Sequence, residues 1–345
     1  MAVKKLRVLV VDDSLLYVET ISRLLSAEGD IEIIGRASNG ADALFKAKEL
    51  KPDVITLDVE MPVMDGLTFL KNLFPVYICP VVVVTSTPID AFEAMSRGAI
   101  DFVRKPVVTK TNELEEFGKK LRGIVRIASN AKVIKTADRV YKVAPVGNIV
   151  TMKTNPKSLI AIGASTGGTE ALPKVLKKLP LNTPPIVVVI HMPEGFTSMF
   201  AQRLNGMLKH EVVEAKSGMY VKNSQIVIAQ GGKHMKVFAD ANGYFVSLSS
   251  GDKVSGHCPS VDVMFESVAA AAGKEAVGVI LTGMGSDGAQ GLLSMKKAGA
   301  YTIGQNEESS TVYGMPKVAK DIGAVTVQRD IHAIGDEIVK YFTNK

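Results

Sequence analysis

The chain has 345 residues, which is enough for two domains of roughly 150 residues each. Apolar residues make up 46% and charged residues 22%, a composition that excludes collagen-like, low-complexity and wholly disordered proteins. The net charge of +6 arises in residues 111–157, where ten Lys and Arg accompany four acids. Because few aromatic residues lie among them, we interpret this stretch as a solvated connector that touches an acidic partner, and we expect no nucleic-acid partner.

The sequence carries no signal for export or membrane insertion. Uninterrupted apolar runs stay short of the ~18 residues that a spanning helix needs, and Asp12 and Asp13 interrupt the first apolar segment too early for a secretory signal. The two cysteines, Cys79 and Cys258, do not form a zinc-binding pattern, and reduced thiols are the simpler interpretation. We therefore expect a cytoplasmic protein.

The first half alternates short Val/Ile-rich runs with segments of helical periodicity, from Leu6 to Pro106. Continuous β-branched runs are typical of strands buried on both faces, so the pattern predicts a doubly wound α/β domain with a parallel sheet. The predicted helices begin near Ser14, Gly40, Leu67 and Ala91, with a fifth over about Asn112 to Ser129. Residues 130–157, which follow, show no clear period and are predicted to be a linker.

The second half repeats the alternation with the strand-like runs SLIAIGAS, PPIVVVI and EAVGVILTGMG. Ser260 is predicted to cap a helix whose apolar face holds Val261, Met264, Phe265 and Val268. The pair Asn242-Gly243 between β-forming runs predicts a hairpin turn. We therefore expect a second α/β domain with a mixed sheet and a β-hairpin.

Polar residues end the predicted strands of the first half. Asp12, Asp13 and Asp58 follow strands one and three, whereas Thr85 and Lys105 end strands four and five. Ligands of open parallel sheets bind at this edge, and clustered carboxylates suit Mg²⁺. With Mg²⁺ and the ammonium group neutralising a phosphoryl group, one carboxylate is left free to attack phosphorus, and Asp58 on the central strand is the best candidate. Each acid taken alone fits a loop or capping role better, since Asp is common after strands.

The segments VVDDS, DVEMPVMDG, VVVVTS and FVRKP together closely resemble the response-regulator receiver family over about 120 residues. The resemblance implies a (βα)5 flavodoxin-like fold over residues 4–129, phosphorylation of Asp58 by a chemotaxis histidine kinase, and a cis Lys105–Pro106 bond. It also implies these roles: Mg²⁺ ligation by Asp13, Asp58 and the Glu60 main-chain carbonyl, with Asp12 acting through water; phosphoryl contacts from Thr85 and Lys105; and switching by the aromatic ring of Phe102.

A serine, a histidine and an aspartate end predicted strands of the second half. Ser165 lies in G-x-S-x-G at a strand-to-helix turn, His191 ends PPIVVVI, and Asp287 lies in the loop after AVGVILTGMG. If these three meet at one edge, they form the nucleophile, base and orienting acid of a hydrolase. Two alternatives stay open from the residues alone. Each residue could serve only as a cap or a strand-end group, and GMGSDG at Gly283, with Glu307 about twenty residues on, also fits a dinucleotide-binding fingerprint.

The motifs GASTGG, HMPEGFT, CPSVD and GMGSDGA, which follow a receiver, resemble the chemotaxis protein-glutamate methylesterase family over essentially the whole chain. The resemblance implies a Rossmann-like catalytic domain over 158–345, with nucleophile Ser165, base His191, orienting Asp287 and the Met284 backbone N–H as an oxyanion donor. It implies γ-glutamyl methyl esters on the cytoplasmic helices of chemoreceptors as substrates, deamidation of glutamines as a second activity, and no cofactor for the esterase reaction.

Overall fold

The computed structural model describes residues 4–106, 111–131, 152 and 155–344. The chain divides into two compact units, Met1–Lys142 and Val143–Lys345. Most of the expected linker, residues 130–157, lies outside the described residues, so its extent stays a prediction. Among the helices that are described, none is both long and apolar enough to cross a bilayer.

The first unit is a parallel five-stranded sheet with helices between its strands, as the sequence predicts. The elements are β1 (Leu6–Val11), α1 (Leu15–Ser26), β2 (Ile31–Ala37), α2 (Gly40–Leu50), β3 (Val54–Leu57), α3 (Gly66–Leu73), β4 (Val81–Thr85), α4 (Pro88–Ser96), β5 (Asp101–Arg104) and α5 (Thr111–Ala128). The strand order is β2-β1-β3-β4-β5, the flavodoxin-like order. All of β3 and β4 is buried, which explains their unbroken Val, Ile and Leu runs.

Two basic residues of α5 are paired within this unit. Arg122 Nε lies 2.9 Å from Glu28 Oε1, and Arg126 Nε lies 2.7 Å from Asp30 Oδ2. The interpretation of residues 111–157 as a solvated connector is therefore wrong for α5, because this helix packs its apolar face on α1 and β5 and uses two of its arginines to bind acids.

The second unit contains a larger parallel sheet and a separate hairpin layer. The elements are β6 (Leu159–Ala164), α6 (Gly168–Leu176), β7 (Ile186–Ile190), α7 (Phe196–Met207), β8 (Glu211–Glu214), β9 (Met219–Tyr220), β10 (Gln225–Ile228), β11 (His234–Asp240), β12 (Gly243–Ser249), α8 (Val261–Ala272), β13 (Ala276–Ile280), α9 (Ala289–Lys297), β14 (Tyr301–Gln305), α10 (Met315–Asp321), β15 (Val327–Arg329) and α11 (Ile331–Asn344). The seven-stranded sheet has the order β15-β14-β13-β6-β7-β10-β8, and β11-β12-β9 form a three-stranded sheet.

The predicted hairpin at Asn242-Gly243 is confirmed, but the expected mixed sheet is corrected. Every strand pair of the seven-stranded sheet is parallel, and among the named strands of the described residues the antiparallel pairs belong to the hairpin sheet. The hairpin strands pair with each other and with β9, and they pack on α8 instead of extending the large sheet.

Helix α8 lies at the centre of this packing and forms as the sequence predicts. Ser260 caps it, with its hydroxyl oxygen accepting the Val263 N–H at 3.3 Å. The apolar face of the helix is completely buried: Val261, Met264, Phe265 and Val268. This burial holds the N-terminus of α8 against the loop that follows β13, where Asp287 lies.

Candidate functional sites

Each sheet has a point where the chain reverses the direction in which strands are added. In the first unit the reversal lies between β1 and β3, and in the second it lies between β6 and β13. Ligands of open α/β sheets bind outside the carboxyl ends of the strands at such points. Asp12 and Asp58 follow one pair of strands, and Ser165 and Asp287 follow the other.

The acidic site of the first unit is organised around an ammonium group. Lys105 Nζ lies 2.6 Å from Asp58 Oδ2 and 2.8 Å from Asp12 Oδ2. The other Asp58 oxygen accepts the Val59 N–H at 2.8 Å. Oxygen atoms of Asp12, Asp13 and Asp58 lie within 4.8 Å of one another. This all-oxygen donor set, with Asp13 exposed to solvent, fits Mg²⁺ that keeps part of its water shell.

Burial keeps the carboxylates of this site away from water and so raises their pKa values. Burial raises the pKa of Asp58 to about 6, against the opposing effect of Lys105, and the nearby Asp12 carboxylate adds to the rise. Burial also raises the pKa of Asp12. A cation that shares these oxygens therefore relieves a repulsion that Lys105 only partly balances.

The remaining receiver residues predicted from the sequence lie on β4, on β5 and in the loop after β3. Thr85 is buried at the end of β4, and its carbonyl accepts the Lys105 N–H at 2.9 Å. Phe102 is buried against Phe92, with ring centroids 6.1 Å apart. The side chain of Glu60 is exposed in the loop after β3, as expected of a residue whose implied role belongs to its main chain.

Two features of this site differ from the expectations or were missed. The one cis peptide bond among the described residues is Cys258–Pro259, so the expected cis Lys105–Pro106 bond is wrong, and that bond has the trans form that X-Pro bonds favour. Sequence reasoning also missed Tyr17. Its ring centroid lies 4.6 Å from Lys105 Nζ and its hydroxyl donates to the Pro106 carbonyl at 3.1 Å.

In the second unit, Ser165 lies on a tight turn between β6 and α6. Gly167 has φ of 81°, a left-handed conformation that favours glycine, and a Cβ there would lie 2.6 Å from Thr311 Oγ1. The Ser165 N–H donates to the Thr282 carbonyl at 3.0 Å, and the Thr282 hydroxyl donates to the Thr166 carbonyl at 3.0 Å. These contacts fix the backbone of the turn and leave the Ser165 side chain half-buried.

His191 and Asp287 meet directly although they are 96 residues apart. His191 Nε2 lies 2.7 Å from Asp287 Oδ2, and the His191 backbone N–H donates to the Ala164 carbonyl, next to Ser165, at 3.3 Å. Among the described residues, no hydrogen bond joins Ser165 Oγ to His191, and the buried Nδ1 of His191 has no partner. The imidazole is therefore oriented by its acid, with Nδ1 left to accept a proton. Catalytic hydrogen bonds often form only once substrate is bound.

Asp287 is held by the N-terminus of α8. Its Oδ1 accepts from Ser260 Oγ at 2.7 Å and its Oδ2 accepts from the Val261 N–H at 2.7 Å. Burial alone would raise the pKa of Asp287, but the hydrogen bond and charge of His191, together with Ser260, lower it below its usual value. The sequence identified Ser260 as a cap but not as a partner of Asp287. No sequence pattern links these two residues, which are 27 residues apart.

The loop after β13 also contains the predicted oxyanion donor. The Gly283 carbonyl accepts the N–H groups of Gly314 and Met315, at 3.0 and 2.8 Å. Because C=O and N–H of a trans peptide point in opposite directions, the Met284 N–H points away from residues 314–315. The side chain of Met284 is 47% exposed. This backbone N–H is therefore oriented away from the neighbouring loop and does not pair with it.

The same loop speaks against the dinucleotide fingerprint at Gly283. A Cβ on Gly283 would meet Met315 Sδ and would lie 2.7 Å from the Cβ of Ser165. A Cβ on Gly288 would lie 2.5 Å from Val261 Cγ1. These are close packing contacts of the first and third glycines, and Gly285, the position at which such a backbone approaches a pyrophosphate, has no atom within 4 Å of its Cβ position. What disfavours an anion in this loop is Asp287, an ionised carboxylate held there by His191 and Ser260.

Fold and geometry define the class of protein: a flavodoxin-like unit with an acidic, Lys-bridged site, and a parallel α/β unit in which a histidine–aspartate pair lies beside a serine turn. Comparison with known proteins agrees. Residues 8–116 match the family model of the response regulator receiver domain, and residues 160–338 match that of the CheB methylesterase.

Relatives extend the match over the whole chain. A Syntrophomonas wolfei protein named protein-glutamate methylesterase/protein-glutamine glutaminase 2 is 46% identical over 99% of this chain and 98% of its own. A Sulfurimonas denitrificans protein named protein-glutamate methylesterase/protein-glutamine glutaminase is 44% identical over 99% of each. The crystal structure of the Thermotoga maritima CheB methylesterase catalytic domain, 35% identical, covers 53% of this chain and 98% of its own, with a TM-score of 0.52. The chain belongs to the CheB methylesterase family, with an amino-terminal receiver domain.

Proposed function

We propose that the chain is a phosphorylation-regulated serine hydrolase that removes methyl groups from glutamate γ-methyl esters on chemoreceptors and deamidates receptor glutamines. The observation that carries the proposal is the 2.7 Å contact between His191 and Asp287 beside the Ser165 turn, in a chain of this family. The names of the relatives support both the ester and the glutamine substrates.

In the first half of the reaction, Ser165 Oγ attacks the ester carbonyl and its proton passes to His191 Nδ1. Asp287 stabilises the imidazolium that forms, because its carboxylate accepts from Nε2. The Met284 N–H donates to the oxyanion, and a donor of this kind is worth about 3 kcal/mol in serine hydrolases. His191 then gives its proton to the departing methoxide, which leaves as methanol, and the γ-acyl group stays on Ser165.

In the second half, water attacks the acyl-enzyme. His191 Nδ1 takes a proton from the water, the oxyanion forms again, and the proton returns to Ser165 Oγ as the glutamate carboxylate leaves. A glutamine side chain follows the same route with ammonia as the leaving group. General base action of this kind contributes about 10²- to 10⁴-fold to the rate.

The receiver unit supplies the regulation. Asp58 accepts the phosphoryl group of a chemotaxis histidine kinase, with Asp12, Asp13, Asp58 and the Glu60 carbonyl holding Mg²⁺. When bound there, the ion would neutralise charge on the phosphoryl oxygens, which Lys105 and Thr85 would also contact. Phe102 changes position when the site is phosphorylated and so passes the signal on. A cytoplasmic location is consistent with substrates on cytoplasmic receptor helices.

The decisive experiment measures methanol release from methylated receptor fragments. Wild type should release methanol, and Ser165→Ala should abolish release while leaving the melting temperature unchanged. Ser250→Ala, an exposed serine of the same unit, is the matched control and should behave as wild type. Equal rates for wild type and Ser165→Ala would overturn the assignment of the nucleophile.

A second experiment tests the regulation. Acetyl phosphate with Mg²⁺ should accelerate methanol release by wild type, and Asp58→Asn should remove that acceleration while keeping the unstimulated rate. Asp65→Asn, a helix-capping aspartate of the same unit, is the control. Persistent acceleration in Asp58→Asn would move the phosphorylation site elsewhere.

A further inference from the structure

A second imidazole lies against the proposed catalytic histidine. The rings of His191 and His257 are stacked, with centroids 3.6 Å apart and planes 6° from parallel. His257 lies in the loop between β12 and α8, and it is half-buried. Nothing in the mechanism above uses it.

Backbone hydrogen bonds before and after His257 fix the position of the loop that carries its ring. Val254 and His257 exchange backbone hydrogen bonds of 3.0 Å each across a tight turn, in which Ser255 and Gly256 have φ of 52° and 82°. The next carbonyl, that of Cys258, accepts the Gly232 N–H at 3.2 Å. The backbone at His257 is thus held by the loop between β10 and β11 and by its own turn.

The buried side chain of His234 makes hydrogen bonds near both ends of this loop. His234 Nε2 lies 2.9 Å from the Asp252 carbonyl, and the Ser260 N–H donates to His234 Nδ1 at 3.2 Å. Ser260 is also the residue whose hydroxyl binds Asp287. The segment that carries His257 is therefore tied to the same helix start that holds the catalytic acid.

We propose that His257 is a positioning residue whose ring holds the plane of His191 during hydrolysis; this rests on the proposed function. The hydrogen bond from Nε2 to Asp287 fixes one atom of the His191 ring but leaves the ring free to tilt about that contact, and the terminal torsion of histidine is soft. A parallel ring at 3.6 Å restricts this tilt and so fixes the direction in which Nδ1 points. It also presents a π face to the imidazolium that forms in each half-reaction.

The test compares side chains that keep or lose the flat ring, in the full-length protein, by methanol release from methylated receptor fragments. His257→Leu should lower kcat about tenfold and change KM less than about twofold, because misalignment of a catalytic group affects the chemical step. His257→Phe, which restores an aromatic face, should recover most of kcat. His332→Leu, an exposed histidine on α11, should leave both parameters unchanged.

The outcomes separate this inference from the proposed function. Wild-type kcat in His257→Leu overturns the positioning role, and so does a His257→Phe variant as slow as His257→Leu. In both cases wild type still releases methanol and Ser165→Ala does not, so the proposed function stands. If wild type releases none, both are overturned. Should His257→Leu melt early, His257→Asn provides a second side chain without an aromatic face.

Discussion

Asp287 binds His191 through one carboxylate oxygen, Oδ2, at 2.7 Å. Because the pKa of Asp287 is lowered, this carboxylate is ionised near neutral pH and can only accept hydrogen bonds. The proton of neutral His191 therefore lies on Nε2, and Nδ1 carries the lone pair. Under the proposed mechanism, this tautomer is the one that accepts a proton from Ser165 at Nδ1.

Substitution of Asp287 by asparagine tests this tautomer. The amide of Asp287→Asn can donate to Nε2 and so favours the imidazole with its proton on Nδ1, which cannot act as the base. We expect kcat for methanol release to fall about 10³- to 10⁴-fold with little change in KM. Asp336→Asn, an exposed aspartate of α11, is the control. A loss smaller than tenfold would show that Asp287 does not set the tautomer.

The strand-end residues were predictable from the sequence because parallel strands bring their carboxyl ends to one edge. Ser165 and His191 directly follow buried strands, whereas Asp287 lies in the loop after β13, beyond the exposed residues 284–286. Position at the carboxyl ends of the strands is what carries the prediction for all three. The contact between His191 and Asp287 follows from β7 and β13 flanking β6, an order that the sequence does not state.

Other contacts had no sequence signal. His257 lies in an irregular loop, where no period relates it to His191, and only the folded turn brings the rings together. The parallel pairing throughout the large sheet was missed because the hairpin at Gly243 predicted antiparallel strands, and their separation into a second layer depends on packing against α8.

A second buried carboxylate beside Asp287 predicts a pH-dependent stability. Asp262 Oδ1 accepts the Gly291 N–H at 2.7 Å, and burial together with the charge of Asp287 raises the pKa of Asp262 above its usual 3.8. A carboxyl group with a raised pKa binds more protons when folded than when unfolded, so its contribution to stability falls as pH rises through that range.

We therefore expect Asp262→Asn, whose amide oxygen still accepts from Gly291, to remove that loss. Its melting temperature relative to wild type should rise between about pH 5 and about pH 8. Differential scanning calorimetry measures this difference, and Asp336→Asn is again the control. A difference that stays constant with pH, or one that falls, contradicts the prediction.

Removal of Lys105 should leave two buried carboxylates without their counter-charge. Lys105 contacts both Asp12 and Asp58, and each of these acids already has a raised pKa because of burial. In Lys105→Met both pKa values should rise further, so the folded receiver keeps its protons to higher pH than the unfolded chain. Stability should fall as pH rises, by about 3–5 kcal/mol at about pH 8.

Calorimetry checks this prediction through its dependence on pH and metal. The melting temperature of Lys105→Met should approach that of wild type at about pH 5, and millimolar Mg²⁺ should restore part of the loss at about pH 8, because bound ligand stabilises the folded state. Lys71→Met, on exposed α3 surface, is the control. An equal loss at both pH values would mean that carboxylate repulsion is not the cause.

The two thiols should differ in reactivity. Cys79 is 1% exposed and its Sγ donates to the Pro52 carbonyl at 3.3 Å, and burial raises its pKa to about 12. Cys258 is half-buried, and burial raises its pKa as well.

Since only an accessible thiolate reacts, iodoacetamide at about pH 8 should label Cys258 in the native chain and Cys79 only after unfolding in guanidinium. Peptide mass spectrometry measures both, and Cys258→Ser should leave the native protein unlabelled. Labelling of native Cys79 at the rate of Cys258 would show that the core around Pro52 opens far more readily than its burial implies.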